Sequence, residues 1–496
     1  MQASALFDVL HQVTCLGQSL EGKTIDDIVS DHRKIRPNSC FIAIKGQHFD
    51  GHSVIEQAVA SGARIVVVEY LEDKWLSLPV SIILVKSTFR AQAILANAFF
   101  DRPSQALKVV AVTGTNGKTT TSTMISDWLT ALGHKTGLLG TMHYKVDQTY
   151  YPAINTTPDA LRLQSLFREM VASGCQDAII EASSHALYLG RLWYTDVDCA
   201  IFTNLTREHL DFHKTMEDYA YAKSLLFSQL GQTLSHNKTK LAILNIDDPY
   251  HALMDQVTAA EIVTYSLKDP GADFFASHIR TEKGRTLFNL HYLDKTYPVS
   301  LAMLGDYNVA NYLAAMSCLV VYYGYQIQDV IAVTEDFKGV PGRMQVIDLG
   351  QAYQVVVDFA HTPDALDNIL NQLSQEKTGK LRVLFGHSGG NRDSGARPDL
   401  GDILFKYADD LMFTADNPRN EDVTSICQAM IQDHQEVPYQ IIEDRHLAVQ
   451  ALIAAAQPGD TLVFAGKGSE PYQVIGDQYL PYDEVAVISQ AIQARK

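Results

Sequence analysis

The chain has 496 residues, 46% hydrophobic and 20% charged, with 40 Lys plus Arg against 57 Asp plus Glu. At ~150 residues per domain, that length suggests about three domains with ample core. The formal charge of −17 argues against a protein that works along a nucleic-acid backbone, which requires a basic face.

Six cysteines (Cys15, Cys40, Cys175, Cys199, Cys318, Cys427) are scattered without a CxxC pair, the usage of free thiols in a reducing compartment. The opening stretch, MQASALFDVLHQVTCLGQSLEG, has no basic segment leading into a long apolar run, so no signal peptide is expected. No stretch reaches ~18 uninterrupted apolar residues, so no membrane span is expected either. The expected location is the cytoplasm.

Along residues 1–105, short apolar runs (SCFIAIKG, ARIVVVEY, VSIILVK) alternate with helical stretches such as SVIEQAVASG. That is the pattern of a small α/β unit, and Pro103 breaks the helix that closes it. A second unit, 106–338, opens with the strand LKVVAVTG, a glycine-containing loop and the helix KTTTSTMISDWLTALG. Further strands are expected at DAIIEAS, DCAIFTNL and KLAILNID. This reads as a doubly wound, mostly parallel P-loop domain, with alternating antiparallel strands appended at 265–300. KGVPGRM marks a boundary. A third, Rossmann-like α/β unit, 339–496, carries the expected strands YQVVVDFA, LRVLFGH, DLMFTAD, YQIIE and DTLVFAGKG. The expectation is three α/β domains in series.

The strongest local signal is Val112-Thr-Gly-Thr-Asn-Gly-Lys-Thr119, between a strand and a helix. Such a loop (Gly114, Thr115, Asn116, Gly117, with Thr120 next on the helix) turns backbone N–H groups and a helix N-terminus toward phosphate oxygens. Lys118 can reach the β- and γ-phosphates, and Thr119 can offer its hydroxyl to Mg²⁺. The strict phosphate-loop pattern has Gly where this chain has Val112. A glycine-rich turn that binds nothing is the bland alternative.

The variant TGTNGKTTT is followed in order by Asn155-Thr156-Thr157-Pro158, Glu181-Ala-Ser-Ser-His185 and Thr203-Asn-Leu-Thr-Arg-Glu-His-Leu-Asp-Phe-His213. Then come Gly305-Asp-Tyr-Asn-Val-Ala-Asn311, Gly342-Arg343 and Asp358-Phe-Ala-His-Thr-Pro363. Over nearly its whole length the chain resembles the Mur ligase family. The resemblance implies an ATP-dependent amide-forming ligase of peptidoglycan-precursor synthesis, of the branch that adds the third amino acid to a UDP-muramoyl dipeptide. ATP converts a substrate carboxylate to an acyl phosphate, and an incoming amine displaces the phosphate. Two anions must be brought together, so the site needs cations more than a nucleophile.

By the same resemblance Lys118, Lys223, His209 and Arg343 are catalytic. Thr119, Glu181, His209 and Lys223 are implied ligands of Mg²⁺, with two ions expected. Lys223 matches the lysine that the family carbamylates with CO₂. Its helix, MEDYAYAKSLLFSQL, also allows a lysine that buries its stem and keeps its head in water, whereas carbamylation requires a neutral, buried amine. Asn308, Asn311 and Asp358 would contact the nucleotide, and Arg343 the γ-phosphate. The UDP-sugar and dipeptide would meet His32, Gln47, His48 and Phe49 in the first domain and Asn155, Thr156, Thr157, Ser184 and Arg191 in the second. Relatives usually have Ser where this chain has His32.

The third domain carries Asp416-Asn-Pro-Arg419 and Gly466-Lys-Gly-Ser-Glu470. In the family the DNPR form accompanies meso-diaminopimelate, whose extra distal carboxylate an Arg can clamp bidentately, at about 1.5–3 kcal/mol. The implied amino-acid site is Arg392 (proximal carboxylate), Asp416, Asn417, Pro418, Arg419, Gly466 and Glu470 (distal ammonium). Ala396 stands where relatives have Lys, and L-lysine is the second candidate. Rival readings are a folylpolyglutamate synthase-like ligase, which lacks DNPR, and a P-loop switch or transport ATPase, which needs a Walker-B strand. A third is a silent binding paralogue, against which the intact Thr119, Glu181, His209 and Lys223 count. Expected partners are the small-molecule substrates alone, and the expected state is a monomer.

Overall fold

Short runs of β-branched and aliphatic residues with no polar alternation need cover on both faces, and this chain is built largely from such runs. A computed structural model describes residues 1–46, 49–232, 239–282, 284–335, 337–390, 394–434 and 436–495. They form two compact units. One comprises Met1–Val112, Leu132–Ala200 and Ser228–Lys240, the other Thr113–Ala131, Ile201–Phe227 and Leu241–Lys496. Among the described residues no helix is long and apolar enough to cross a membrane.

In the first unit a five-stranded sheet has the order Thr14–Gly17, Ser81–Leu84, Ala63–Val68, Ser39–Ile42, Asp27–Val29. Only the Thr14–Gly17 edge is antiparallel. Period-two alternation sends Cys40, Ile42, Ile65, Val67 and Ile83 to one face, with Leu6, Ala91 and Leu95 of two helices. Phe41, Val66, Val68 and Ile82 go to the other, with Ile55, Ala58 and Trp75. The two edge strands were not legible in the sequence, because Thr14–Gly17 is largely exposed and Asp27–Val29 has three residues. The unit also holds residues 108–112 of the strand Lys108–Thr113, parallel to Asp177–Glu181, which is parallel to Thr136–Leu139. An unforeseen antiparallel hairpin, His143–Val146 with Thr149–Pro152, extends that sheet.

In the second unit Leu241–Asn245, Glu261–Ser266 and Phe274–Glu282 run parallel, followed by antiparallel Arg285–Tyr292 and Lys295–Leu301. The antiparallel extension expected at 265–300 is therefore present. Helix Asp306–Ser317 packs on helix Lys118–Ala131, with Trp128 edge-on to Tyr312 at 5.1 Å.

The C-terminal sheet has the order Gln345–Val346, Gln354–Val357, Thr461–Ala465, Leu381–Phe385, Asp410–Phe413, Tyr439–Ile441, parallel except at its first edge. Strand order reverses beside Leu381–Phe385, and in open α/β sheets ligands sit outside the carboxyl ends of the strands at such a point. The stretches beginning at Gly386, Thr414 and Gly466 all leave from there. Beneath them lies a buried ion pair. Arg445 donates from Nε and Nη2 to Glu484 at 3.0 and 2.6 Å, and also to the carbonyls of Ala415 and Ala465. Arg445→Ala would leave Glu484 buried and uncompensated, so we expect a loss of about 3–5 kcal/mol, measurable as a lowered urea midpoint.

Candidate active site

The phosphate loop is shaped by close approach. A Cβ on Gly114 would lie 1.8 Å from Thr203 Oγ1, and one on Gly117 (φ +86°) 2.3 Å from Asn311 Oδ1. Neither position can carry a side chain. Asn204 fastens the loop, accepting from the Asn116 N–H at 2.8 Å through Oδ1 and donating to the Asn116 carbonyl at 3.2 Å. Thr203 Oγ1 donates to the same carbonyl at 2.6 Å, and Asn116 Nδ2 donates to Asp364 at 3.0 Å. Val112, where the strict pattern has Gly, is a fully buried strand residue. The loop therefore turns two residues later, at Gly114.

Two lysines meet on this loop. Lys118 Nζ donates to the Gly114 and Thr115 carbonyls at 2.9 and 2.7 Å, and Lys223 Nζ to the Gly114 carbonyl at 2.7 Å. Lys223 is buried, not snorkelling, with Nζ 4.6 Å from the centre of the Tyr219 ring. Burial, helped by the charge of Lys118 and opposed by Glu208, holds its amine far below the usual lysine range. Carbamylation, which needs a neutral amine, requires a shift in this direction.

His209 sits in the left-handed region (φ +58°) at the start of the short helix Leu210–His213. Burial, against the pull of Glu208 and with the push of Lys223 and Lys118, lowers it to about 4, so its imidazole is neutral and able to act as a ligand. Glu208 stands 3.5 Å from His209 and 3.4 Å from His361. Burial raises Glu208, but the surrounding His209, His361 and Lys118 outweigh it and keep it ionised. Burial lowers His361, and the Glu208 hydrogen bond and charge more than reverse this. Sequence reading took only His209 from TNLTREHLDFH. Thr203, Asn204 and Glu208 stood in the same stretch.

A cavity of about 540 Å³, within the range of nucleotide and cofactor sites, is lined by Asn116, Gly117, Thr120, Asn308, Asn311, Arg343 and Asp358. Arg343 Nη2 donates to Thr119 Oγ1 at 3.3 Å, and its guanidinium lies 4.5 Å from the Phe359 ring centre. Asp358 accepts the Met344 and Ala360 N–H groups at 2.6 and 2.7 Å, so it also fixes the backbone beside Arg343. Burial, the largest influence, raises its carboxyl. Asn308 donates to the Leu304 carbonyl, and Asn311 Nδ2 to Asn308. The expected nucleotide residues are thus brought together, with Asn245, Asp248, Tyr265 and Tyr307 as lining the sequence did not signal.

Glu181 lies in the first unit, where Thr141 donates to it from N and Oγ1 at 3.0 and 3.1 Å. Around it Thr157 donates to the Glu181 carbonyl, Thr141 to Thr156, and Arg191 to the Thr157 carbonyl at 2.9 Å. Tyr144 donates to the Asn155 carbonyl, and Ser184 is buried. Glu181, Thr156, Thr157 and Arg191 therefore form one connected group. His32 stacks on the exposed ring of Phe49 at 5.8 Å. Gln47 and His48 lie outside the described residues, as does Arg392.

At the carboxyl edge of the C-terminal sheet, Asp416 accepts from Ser388 at 2.6 Å, and Asn417 Nδ2 donates to Glu470 Oε2 at 2.9 Å. Arg419 (φ +55°) is tied by its own N–H to Val474 and by its carbonyl to Gly476. Its side chain packs on Gly390, and its buried Nε has no hydrogen-bond partner among the described residues. Pro418 is buried, and a Cβ on Gly466 (φ +94°) would lie 2.7 Å from the Gly386 carbonyl. Among the described residues no three His, Cys, Asp or Glu side chains gather as a metal cluster. Lys467, which sequence reading passed over, lies fully buried in the middle of this group.

Three family descriptions match in order: Mur ligase family, catalytic domain, over 24–102, Mur ligase middle domain over 112–319, and Mur ligase, glutamate ligase domain, over 342–468. UDP-N-acetylmuramoyl-L-alanyl-D-glutamate–2,6-diaminopimelate ligase of Bacillus cereus is 41% identical over 495 residues, covering 100% of this chain and 99% of that protein. The enzyme of the same name from Geobacillus kaustophilus is 42% identical, covering 95% and 96%. A solved structure of a ligase of that name superposes with a TM-score of 0.68 at 31% identity, covering 99% of each chain. Mycobacterium tuberculosis folylpolyglutamate synthase, with ADP and AMPPCP, shares the fold at 16% identity, a TM-score of 0.63 and coverage of 76% and 92%. Matched from its first domain to its last and at this identity over its full length, the chain belongs to the Mur ligase family.

Proposed function

We propose that this chain is an ATP-dependent ligase that joins meso-diaminopimelate to UDP-N-acetylmuramoyl-L-alanyl-D-glutamate in peptidoglycan-precursor synthesis. In this reading 1–105 holds the UDP-sugar, 106–338 binds ATP, and 339–496 binds the amino acid and closes on the nucleotide. The loop amides and Lys118 hold the β- and γ-phosphates, and Arg343 exchanges its contact with Thr119 for the γ-phosphate. The substrate carboxylate attacks the γ-phosphorus and ADP leaves. The amine of the diamino acid then attacks the acyl carbon, releasing phosphate and a proton. Thr119, His209 and the carbamate of Lys223 would hold Mg²⁺, which would supply charge neutralisation between the two anions. The neutral imidazole of His209 and the buried amine of Lys223 suit those roles. The enzyme works in the cytoplasm as a monomer.

The observation that carries the amino-acid choice is Arg419. It is a non-glycine residue held at φ +55°, its buried Nε lacks a partner among the described residues, and it ends the loop that carries Asp416 and Asn417. Strain of ~1–3 kcal/mol at such a residue persists where the surroundings fix it, commonly at binding sites. Phosphate release from purified protein, ATP, Mg²⁺ and the UDP-muramoyl dipeptide, compared across amino acids, tests the reading. Dependence on diaminopimelate is expected, and a preference for L-lysine would overturn the amino-acid assignment while leaving a ligase. Arg419→Ala should cost about 2–4 kcal/mol in kcat/KM, mostly as KM for diaminopimelate, with the KM for ATP little changed. Arg419→Lys should recover only part, since an ammonium cannot make two parallel bonds.

A further inference from the structure

Between Gly466 (φ +94°) and Gly468 (φ +54°) the chain turns tightly enough to send the Lys467 side chain inward. A Cβ on either glycine would come within 2.7 or 2.8 Å of the Gly386 carbonyl or Phe359 Cβ, so the turn admits only glycine there. Lys467 ends up fully buried, with Nζ 3.1 Å from Asp416 Oδ1, 3.0 Å from Glu470 Oε2 and 2.9 Å from Asn417 Oδ1. Glu470 Oε2 is thus occupied twice, by Lys467 and by Asn417 Nδ2, and Oε1 is the oxygen left to meet a ligand.

Charge decides what such a site accepts. Asp416 and Glu470 are two anions that share the Lys467 ammonium, and Arg419, in the proposed reading, brings the second cation. The neighbouring pairs Arg445–Glu484 and Arg397–Glu421 each add no net charge, although Arg445 also helps to hold Asp416 ionised, and burial keeps His387 neutral. The distal end of diaminopimelate carries one ammonium and one carboxylate, whereas that of lysine carries a lone ammonium. A balanced site suits the first, and a site with one excess anion suits the second.

We infer that Lys467 is a specificity-determining residue: by neutralising half of the Asp416–Glu470 charge it makes the amino-acid site favour a distal zwitterion over a distal ammonium. The inference rests on the ligase reading above. Arg392 contributes, in that reading, to the proximal carboxylate common to both amino acids and drops out of the comparison.

The test is the ratio of kcat/KM for L-lysine to that for meso-diaminopimelate, measured by phosphate release on one preparation so that any misfolded fraction cancels. Lys467→Gln should raise this ratio by at least about tenfold, Lys467→Arg should leave it near the wild-type value, and KM for ATP should stay unchanged in both. A wild-type enzyme that uses diaminopimelate, with a ratio unmoved in Lys467→Gln, overturns this inference alone. A wild type that releases phosphate with neither amino acid overturns the ligase reading and the inference with it. Should Lys467→Gln turn over neither amino acid, Glu470→Gln decides. Removing an anion must move the ratio the other way, and an unchanged ratio overturns the proposal.

Discussion

Lys223→Ala should lower turnover on the order of 10³-fold, the upper range for loss of one electrostatic group in a closed site. The argument starts from the amine. Lys223 is buried, shares the Gly114 carbonyl with Lys118, and faces the Tyr219 ring. Desolvation and the neighbouring ammonium both oppose its charge, so its lone pair is available. On the proposed reading that lone pair bonds to the carbon of CO₂, a proton leaves the nitrogen, and a carbamate anion takes the position of the amine. Wild-type enzyme should accordingly lose activity in CO₂-depleted buffer and regain it with bicarbonate. If Lys223 serves only as a strut for the Gly114 carbonyl, the wild type will ignore bicarbonate and the alanine variant will show a lowered melting temperature instead. An alanine variant with normal turnover removes the carbamate from the account.

Lys118→Ala should cost at least ~10²-fold in turnover, because on the proposed reading it removes the ammonium that offsets developing charge on the γ-phosphate. Lys118 Nζ rests on the Gly114 and Thr115 carbonyls, contacts that a phosphate oxygen can replace with a charge-assisted bond. The same substitution removes a positive neighbour of Lys223 and His209. The loss should therefore appear in kcat as well as in the KM for ATP. Near wild-type turnover would sink the assignment of this loop.

The parallel strands could be read from the sequence because unbroken apolar runs have few alternatives to a doubly covered sheet. The phosphate loop was equally readable, since Gly117 at φ +86° is a local requirement of the backbone. Lys223 could not be placed from its own helix. Its burial depends on Gly114, distant in the chain, and an alternation of apolar and polar residues allows either outcome. Glu208 and His361 escaped notice for the same reason, their pairing being tertiary. Lys467 was hidden by its surroundings, as a lysine between two glycines reads like a solvated loop. The edge strands and the 143–152 hairpin were missed because short, half-exposed segments leave little periodicity.

The order of the C-terminal sheet carries an evolutionary consequence. Its hydrophobic interior comes from Val356, Val383, Phe385, Leu411, Phe413 and Val463 on one side and Val355, Leu384, Met412 and Phe464 on the other. The Asp416, Arg419, Lys467 and Glu470 side chains all belong to segments beyond the strand ends. On the proposed reading, substrate preference can therefore drift by exchange of a few loop positions while the folding core is inherited intact. A lineage can change which amino acid enters its peptidoglycan precursor without rebuilding the enzyme that adds it.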